Sequence, residues 1–178
     1  MSSKGIGPKI EAAIGYLTEH PDEARYTDTA AVATLEGALR CTVEGPEDSS
    51  VVTDMPTSVG GRGDKPSPAW LWRAGLASCT ATVIGMRAAQ LGIELGSVRV
   101  TVDSESDDRG ILGMDESVPA GPLSMRVHVE MDAPGADPDR LSELAAWGSK
   151  HCPVCEGAKR AIPVTLEVET AGGSLSDS

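Results

Sequence analysis

The sequence is poor in aromatic side chains. It contains no phenylalanine, three tryptophans and two tyrosines among its 178 residues. Leucine, valine, isoleucine, alanine and methionine must therefore fill the core, and these smaller side chains favour close contact between neighbouring elements. The length is sufficient for one hydrophobic core with a small appendage, so we predict one main domain.

Basic residues are also scarce, because 15 Lys and Arg stand against 27 Asp and Glu, for a net charge of −12. A charge of this sign opposes binding to nucleic-acid phosphates and to anionic membrane surfaces, so we expect neither partner. No apolar run reaches the length that spans a membrane, and the first residues lack the apolar core of a secretory signal. We therefore expect a cytoplasmic protein.

Cysteines are few, and they are unevenly placed at positions 41, 79, 152 and 155. Four clustered cysteines do not suit a disulfide scaffold, which favours reactive or metal-binding thiols. Cys41 alternates with Leu39 and Val43 in a β-prone segment, so we interpret it as a small buried hydrophobe. The other three cysteines remain candidates for chemistry.

The longest apolar pattern surrounds Cys79. Ser67 is a capping residue, Pro68 is tolerated in a first helical turn, and Gly92 suits a left-handed helix end, so we predict a helix between them. Because this helix is apolar nearly all round, we expect it to be buried. Small residues recur on one side at helical spacing and would let another backbone approach closely: Gly75, Ser78, Thr82, Gly85 and Ala89.

The remaining patterns predict an α+β fold, with two β-rich halves around the helical centre. His128 falls on the wet face of a predicted strand, so we interpret it as a solvated residue. We assign residues 1–25 to an N-terminal helical extension, 26–170 to the main domain and 171–178 to a disordered tail. The predicted helices span residues 9–19, 67–92, 153–161 and a stretch from Asp137-Pro138, and the predicted strands span 29–35, 38–44, 50–54, 98–103, 123–131 and 164–168.

The second chemical feature is His151-Cys152-Pro153-Val154-Cys155. If Pro153 begins a helix, Cys152 is its N-cap, and the unpaired N–H groups there lower the pKa of a thiol. The CxxC pair fits a redox dithiol, half of a zinc site completed by Cys79 or His151, or a structural pair. Cys79 differs, because burial in mid-helix raises the pKa of a thiol and only a cation from elsewhere would activate it.

Taken together, Gly60-Gly61, Pro66-Ser67-Pro68, Ala74-Gly75-Leu76-Ala77-Ser78-Cys79 and His151-Cys152-Pro153-Val154 resemble the OsmC/Ohr family of organic hydroperoxide reductases. The resemblance covers about residues 26–168. It implies an α+β fold in which two subunits interlock their sheets around paired central helices as a homodimer.

The resemblance also implies the site residues. Cys79 corresponds to the cysteine that attacks the peroxide, Cys152 to the resolving cysteine, and Arg40 to the activating arginine from the first hairpin. The implied chemistry converts an organic hydroperoxide into an alcohol, and an external dithiol then reduces the disulfide. It requires no metal or organic cofactor.

The sequence departs from the family pattern at two positions. The family has a carboxylate ten residues before the reactive cysteine to hold the arginine, and that position is Ala69 here, so Asp64 is a candidate to replace it. Cys155 stands where the family usually has no thiol, and a Cys152–Cys155 disulfide is a candidate to replace or relay the implied one. Two alternatives stay open: a CxxC thiol-disulfide oxidoreductase in which Cys79 is dispensable, and a non-enzymatic small-molecule-binding protein of the same fold.

Overall fold

The computed structural model describes residues 5–170 and 173–176, and it describes side chains within residues 5–170. It confirms the predicted α+β class. The helices are α1 (Ile6–Glu19), α2 (Pro68–Gln90), α3 (Asp108–Ile111), α4 (Pro138–His151) and α5 (Pro153–Lys159). The strands are β1 (Val32–Gly37), β2 (Arg40–Glu44), β3 (Ser50–Thr53), β4 (Ser97–Glu105), β5 (Ser124–Asp132), β6 (Glu167–Thr170) and β7 (Gly173–Ser176).

Helix α2 begins and ends at the predicted signals. The Ser67 hydroxyl accepts the backbone N–H of Trp70 at 3.2 Å, and Gly92, with φ +66°, follows the last turn. The prediction that the whole helix is buried is wrong for the single chain, because only one stripe is buried: Leu76, Thr80, Ile84 and Ala88. Gly75, on the opposite side, is exposed. A Cβ added at Gly75 would meet no atom within 4 Å.

The buried stripe of α2 supports two hydrophobic clusters. Toward its C-terminal half, Ile84 and Ala88 pack with Ile93, Ala133 and Leu144. Helix α4 approaches α2 closely here, since a Cβ added at Gly148 would lie 2.3 Å from the Ile84 side chain. Toward the N-terminal half, Leu76 packs with Cys152 and Cys155. The thiols therefore belong to the core.

Strands β4 and β5 form a long antiparallel hairpin in which Thr101 lies opposite His128. Exposed and half-buried residues alternate along both strands. The half-buried side packs against the two clusters through Val98, Val102, Met125, Val127, Val129 and Met131. His128 is exposed, which confirms its predicted position on the wet face.

Strands β1, β2 and β3 form a separate antiparallel sheet in that order. Its first turn uses Ala38 and Leu39, both with positive φ, two residues later than the gap between the predicted strands 29–35 and 38–44. Cys41 is half-buried rather than buried, because the rest of the chain does not cover this sheet. Val32 and Leu35 remain 55% and 63% exposed.

The ends of the chain differ from the predicted boundaries. Helix α1 begins at Ile6, three residues early, because Pro8 is accommodated in its first turn. A Cβ added at Gly7 would lie 2.6 Å from the Ala89 carbonyl oxygen, so α1 lies close against the end of α2.

Near the other end, β6 begins at Glu167, whereas residues 161–166 are irregular. We predicted that residues 171–178 are disordered, but within this range Gly173–Ser176 forms β7 and pairs with β6. Residues 171, 172, 177 and 178 lie outside the described residues. Within the described ranges, none of the helices combines the length and apolar character needed to cross a bilayer.

Candidate functional site

Three of the four cysteines lie together where α2 meets the start of α5. Cys152 is 0% exposed, Cys155 is 2% exposed and Cys79 is half-buried. All three are free thiols. Cys41 lies apart from them in β2, as the sequence predicts.

The CxxC segment folds as predicted from its proline. Pro153 is the first residue of α5 and Cys152 is the N-cap. The Cys152 sulfur accepts the backbone N–H of Cys155 at 3.3 Å. Helix capping therefore fixes the Cys152 sulfur beside Cys155.

Thr80 connects the two helices of the site. It is 0% exposed, and its hydroxyl donates to the Leu76 carbonyl at 2.8 Å while lying 3.4 Å from the Cys155 sulfur. The sequence did not single out Thr80 as a site residue. The one feature that could have indicated it is its position directly after Cys79 on the apolar helix.

Cys152 is the most acidic of the three thiols. Burial opposes its ionisation, but the backbone N–H of Cys155 that its sulfur accepts, together with the neighbouring side chains of Thr80, Cys79 and Cys155, lowers its pKa. The prediction of a lowered pKa at this N-cap is confirmed in direction. Three neighbouring residues thus favour the thiolate of Cys152.

The other two thiols are less acidic than usual. Burial raises the pKa of Cys79, the neighbouring Cys152 side chain raises it further, and the backbone N–H of Val154 lowers it. Burial also raises the pKa of Cys155, as does Cys152, whereas Thr80 and Ser149 lower it. The structure therefore agrees with the prediction that Cys79 is not activated by its own helix.

Arg40 lies at the start of β2, and its guanidinium pairs with the Asp64 carboxylate at 2.8 Å. Within the described chain it makes no hydrogen bond to the thiols. Ala69 lies exposed in the first turn of α2 and offers no charge. Asp64 is therefore the acid that holds Arg40 in this structure.

The loop that carries Asp64 is organised around Asp54, another residue that the sequence analysis missed. Asp54 is only 1% exposed, and its carboxylate accepts the N–H groups of Met55 and Arg62. Burial opposes its ionisation, but these bonds and the backbone of Asp64 lower its pKa overall. Gly61 is required here, since an added Cβ would lie 1.9 Å from the Met55 carbonyl oxygen.

A cleft of about 360 Å³ opens beside the thiols, and Cys155 forms part of its wall. It lies between α2, the start of β5 and α5. Its apolar walls come from Trp72, Leu76, Pro122, Leu123, Met125, Val127 and Ala158, and its polar groups come from Ser124, Ser149 and Lys159.

A metal site does not form in the described residues, since no three His, Cys, Asp or Glu side chains are arranged to hold an ion. His151 instead stacks on Trp147 at 4.0 Å, and its Nδ1 lies 2.8 Å from the Trp147 carbonyl oxygen. The zinc interpretation of the CxxC pair therefore finds no support from Cys79 or His151.

Comparison with known proteins places these features in context. A family model described as "OsmC-like protein" matches residues 61–167. No functionally curated protein matches the chain.

Solved structures share the fold at low identity. An OsmC-like protein from Mycoplasma pneumoniae has a TM-score of 0.65 at 16% identity, with 76% of this chain and 89% of that chain covered. An organic hydroperoxide resistance protein from Legionella pneumophila has a TM-score of 0.56 at 24% identity, with 76% of this chain and 91% of that chain covered. The organic hydroperoxide resistance protein OhrB of Bacillus subtilis has a TM-score of 0.51 at 17% identity, with 75% of this chain and 91% of that chain covered.

Proposed function

The chain belongs to the family of OsmC-like proteins, whose model matches more than half of it, and from this premise we propose that it is a thiol peroxidase that reduces organic hydroperoxides to alcohols. Two of its structural neighbours are named organic hydroperoxide resistance proteins. The observation that carries the proposal is the packing of Cys79, on α2, against the buried cluster that contains Cys152 and Cys155 at the start of α5.

Cys79 is the attacking thiol in this proposal, because it is the least buried of the three. Its thiolate attacks one peroxide oxygen, the O–O bond breaks, the alcohol leaves with a proton, and Cys79 becomes a sulfenic acid. The Cys152 thiolate then attacks the Cys79 sulfur and forms a disulfide, with loss of water. An external dithiol restores both thiols and becomes a disulfide itself.

Arg40 is the proposed activating cation, and Asp64 is its support. A charge-assisted pair such as Arg40–Asp64 fixes the guanidinium, which favours an anion nearby. A guanidinium brought close to Cys79 would oppose the burial that raises the pKa of this thiol.

The active protein is proposed to be a cytoplasmic homodimer. Cys79 lies at the edge of the exposed small-residue side of α2, one turn from Gly75 and Thr82. A second α2 packed on this side would close the site around Cys79, and interlocked sheets would cover the exposed residues of β1.

The CxxC oxidoreductase remains the second candidate, because the Cys152 sulfur has the lowered pKa and contacts Cys155 directly. In that function Cys79 is dispensable. A non-enzymatic binding role would leave all the thiols unoxidised by the hydroperoxide.

One experiment separates these functions. Consumption of cumene hydroperoxide in the presence of dithiothreitol is measured for the wild type, Cys79→Ser, Cys152→Ser and the control Cys41→Ser. The peroxidase predicts loss of turnover in the first two variants and wild-type turnover in the control. Full turnover by Cys79→Ser would exclude the proposed mechanism.

A further inference from the structure

Cys155 is a third thiol in contact with the proposed pair, and the peroxidase mechanism above does not use it. The Cys152 sulfur accepts the backbone N–H of Cys155 at 3.3 Å, and Cys79 packs against the cluster that contains both cysteines. A sulfur with two other thiols in the same cluster can exchange one disulfide partner for the other.

We propose that Cys155 is a relay cysteine: it attacks Cys152 in the Cys79–Cys152 disulfide, frees Cys79, and presents the resulting Cys152–Cys155 disulfide to the external dithiol at the cleft. This inference rests on the proposed function, since the peroxidase reaction supplies the first disulfide.

The exchange step balances within the chain. The Cys155 sulfur forms a bond to Cys152, the Cys79–Cys152 bond breaks, and the Cys79 sulfur leaves with the electron pair and takes up the proton that Cys155 has lost. No external oxidant or reductant is consumed, because one disulfide replaces another. Thr80 and Ser149 remain beside Cys155 to stabilise its thiolate.

The exchange matters because the three sulfurs differ in how an external thiol can reach them. Cys152 is fully buried, and Cys79 lies at the edge of the α2 surface that the proposed dimer covers. Cys155 is itself only 2% exposed, but of the three cysteines it is the one in the wall of the 360 Å³ cleft. Of the three sulfurs, it is therefore the one that an entering thiol meets from this cleft.

The reduction step also suits this arrangement. The thiolate of the external dithiol attacks the Cys155 sulfur, and Cys152 leaves as a thiolate. A thiol of lower pKa is the better leaving group, and Cys152 has the lowest pKa of the cluster. The second thiol of the dithiol then attacks the mixed disulfide, which frees Cys155 and completes the oxidation of the reductant.

The test is a time course on the full chain. The protein is treated with one equivalent of cumene hydroperoxide, quenched with acid, alkylated and mapped by mass spectrometry. The wild type and Cys41→Ser should form Cys79–Cys152 first and then Cys152–Cys155 with Cys79 free. Cys155→Ser should stop at Cys79–Cys152, and dithiothreitol should reduce it at least about tenfold more slowly than the wild type.

The outcomes distinguish the two proposals. A wild type that keeps Cys79–Cys152 until the reductant arrives would overturn the relay and leave the peroxidase intact, and this measurement does not depend on any variant folding. A Cys79 that hydroperoxide never oxidises would overturn the peroxidase. Formation of Cys152–Cys155 in Cys79→Ser at the wild-type rate would overturn the relay in favour of the CxxC oxidoreductase.

Discussion

The Arg40 guanidinium pairs with the Asp64 carboxylate at 2.8 Å, and the position at which the family pattern has a carboxylate is occupied here by Ala69. An acid five residues earlier in the chain thus meets the same need from the loop before α2. The buried carboxylate of Asp54 fixes this loop through backbone N–H groups, one of which belongs to Arg62. In the proposed mechanism, Asp64 therefore takes the place of the carboxylate that the family pattern has at position 69.

The pair gives the first prediction. Asp64→Asn should slow oxidation of Cys79 by cumene hydroperoxide, because a free arginine loses on the order of 1–2 kcal/mol of conformational entropy when it becomes ordered. That is roughly a five- to thirty-fold effect on the rate. Ala69→Glu should restore the rate in the Asp64→Asn background, whereas Ala69→Gln should not.

Stopped-flow measurement of Cys79 oxidation checks this prediction. Glu130→Gln is the matched control, since it removes an ion pair with Arg99 on the exposed side of β4 and β5. An Asp64→Asn protein that reacts at the wild-type rate would show that Arg40 does not activate Cys79.

The buried hydroxyl gives the second prediction. Thr80→Val keeps the shape of the side chain and removes the group that lies 3.4 Å from the Cys155 sulfur. Because Thr80 lowers the pKa of Cys152, its removal should move the thiolate absorbance at 240 nm to higher pH. The buried hydrogen bond should also cost about 1 kcal/mol in the free energy of unfolding. Thr80→Ser, which keeps the hydroxyl, should titrate like the wild type.

The exposed side of α2 gives the third prediction. Gly75→Leu has free space in the single chain and replaces a poor helix former, so a monomer should gain about 0.5–1 kcal/mol. In the proposed dimer the same side chain blocks the approach of a second helix, and light scattering should show a monomer. Gly15→Leu, where an added Cβ also meets nothing, is the control and should stay dimeric. A dimeric Gly75→Leu protein would place the interface elsewhere.

The acid dependence of stability gives the fourth prediction. The pKa of Asp54 is lowered in the folded chain, so its contribution is present above its unfolded pKa of about 3.9 and is lost as the pH falls through the folded value. Asp54→Asn should therefore be less stable than the wild type at pH 7 and should lose less stability between pH 5 and pH 3. Urea unfolding measures this difference, with the exposed Asp22→Asn as the control.

Local signals predicted much of this fold correctly. Ser67, Pro68 and Gly92 set the limits of α2, and Cys152 and Pro153 set the start of α5, because capping depends on neighbours in the sequence. The alternation of apolar and polar residues also predicted which sides of β4 and β5 are exposed, because it too is a local pattern in the sequence.

Contacts between distant segments were not predictable in this way. Thr80 and Cys155 are 75 positions apart, and only the packing of α5 on α2 brings them together. The burial of Asp54 likewise depends on the path of the following loop. The burial of α2 was overestimated because periodicity does not show whether the neighbour of an apolar face belongs to the same chain or to another.

Because Leu76 packs against Cys152 and Cys155, the two cysteine side chains are part of the hydrophobic core. A Cys79–Cys152 bond would close a loop of roughly 70 residues and restrict the unfolded chain by about 4 kcal/mol. A Cys152–Cys155 bond closes only a few residues and restricts it by about 2 kcal/mol. Each oxidation state would then melt at its own temperature, highest for the first disulfide and lowest for the free thiols. Calorimetry of samples trapped at each stage would therefore identify the oxidation state of the protein from its melting temperature.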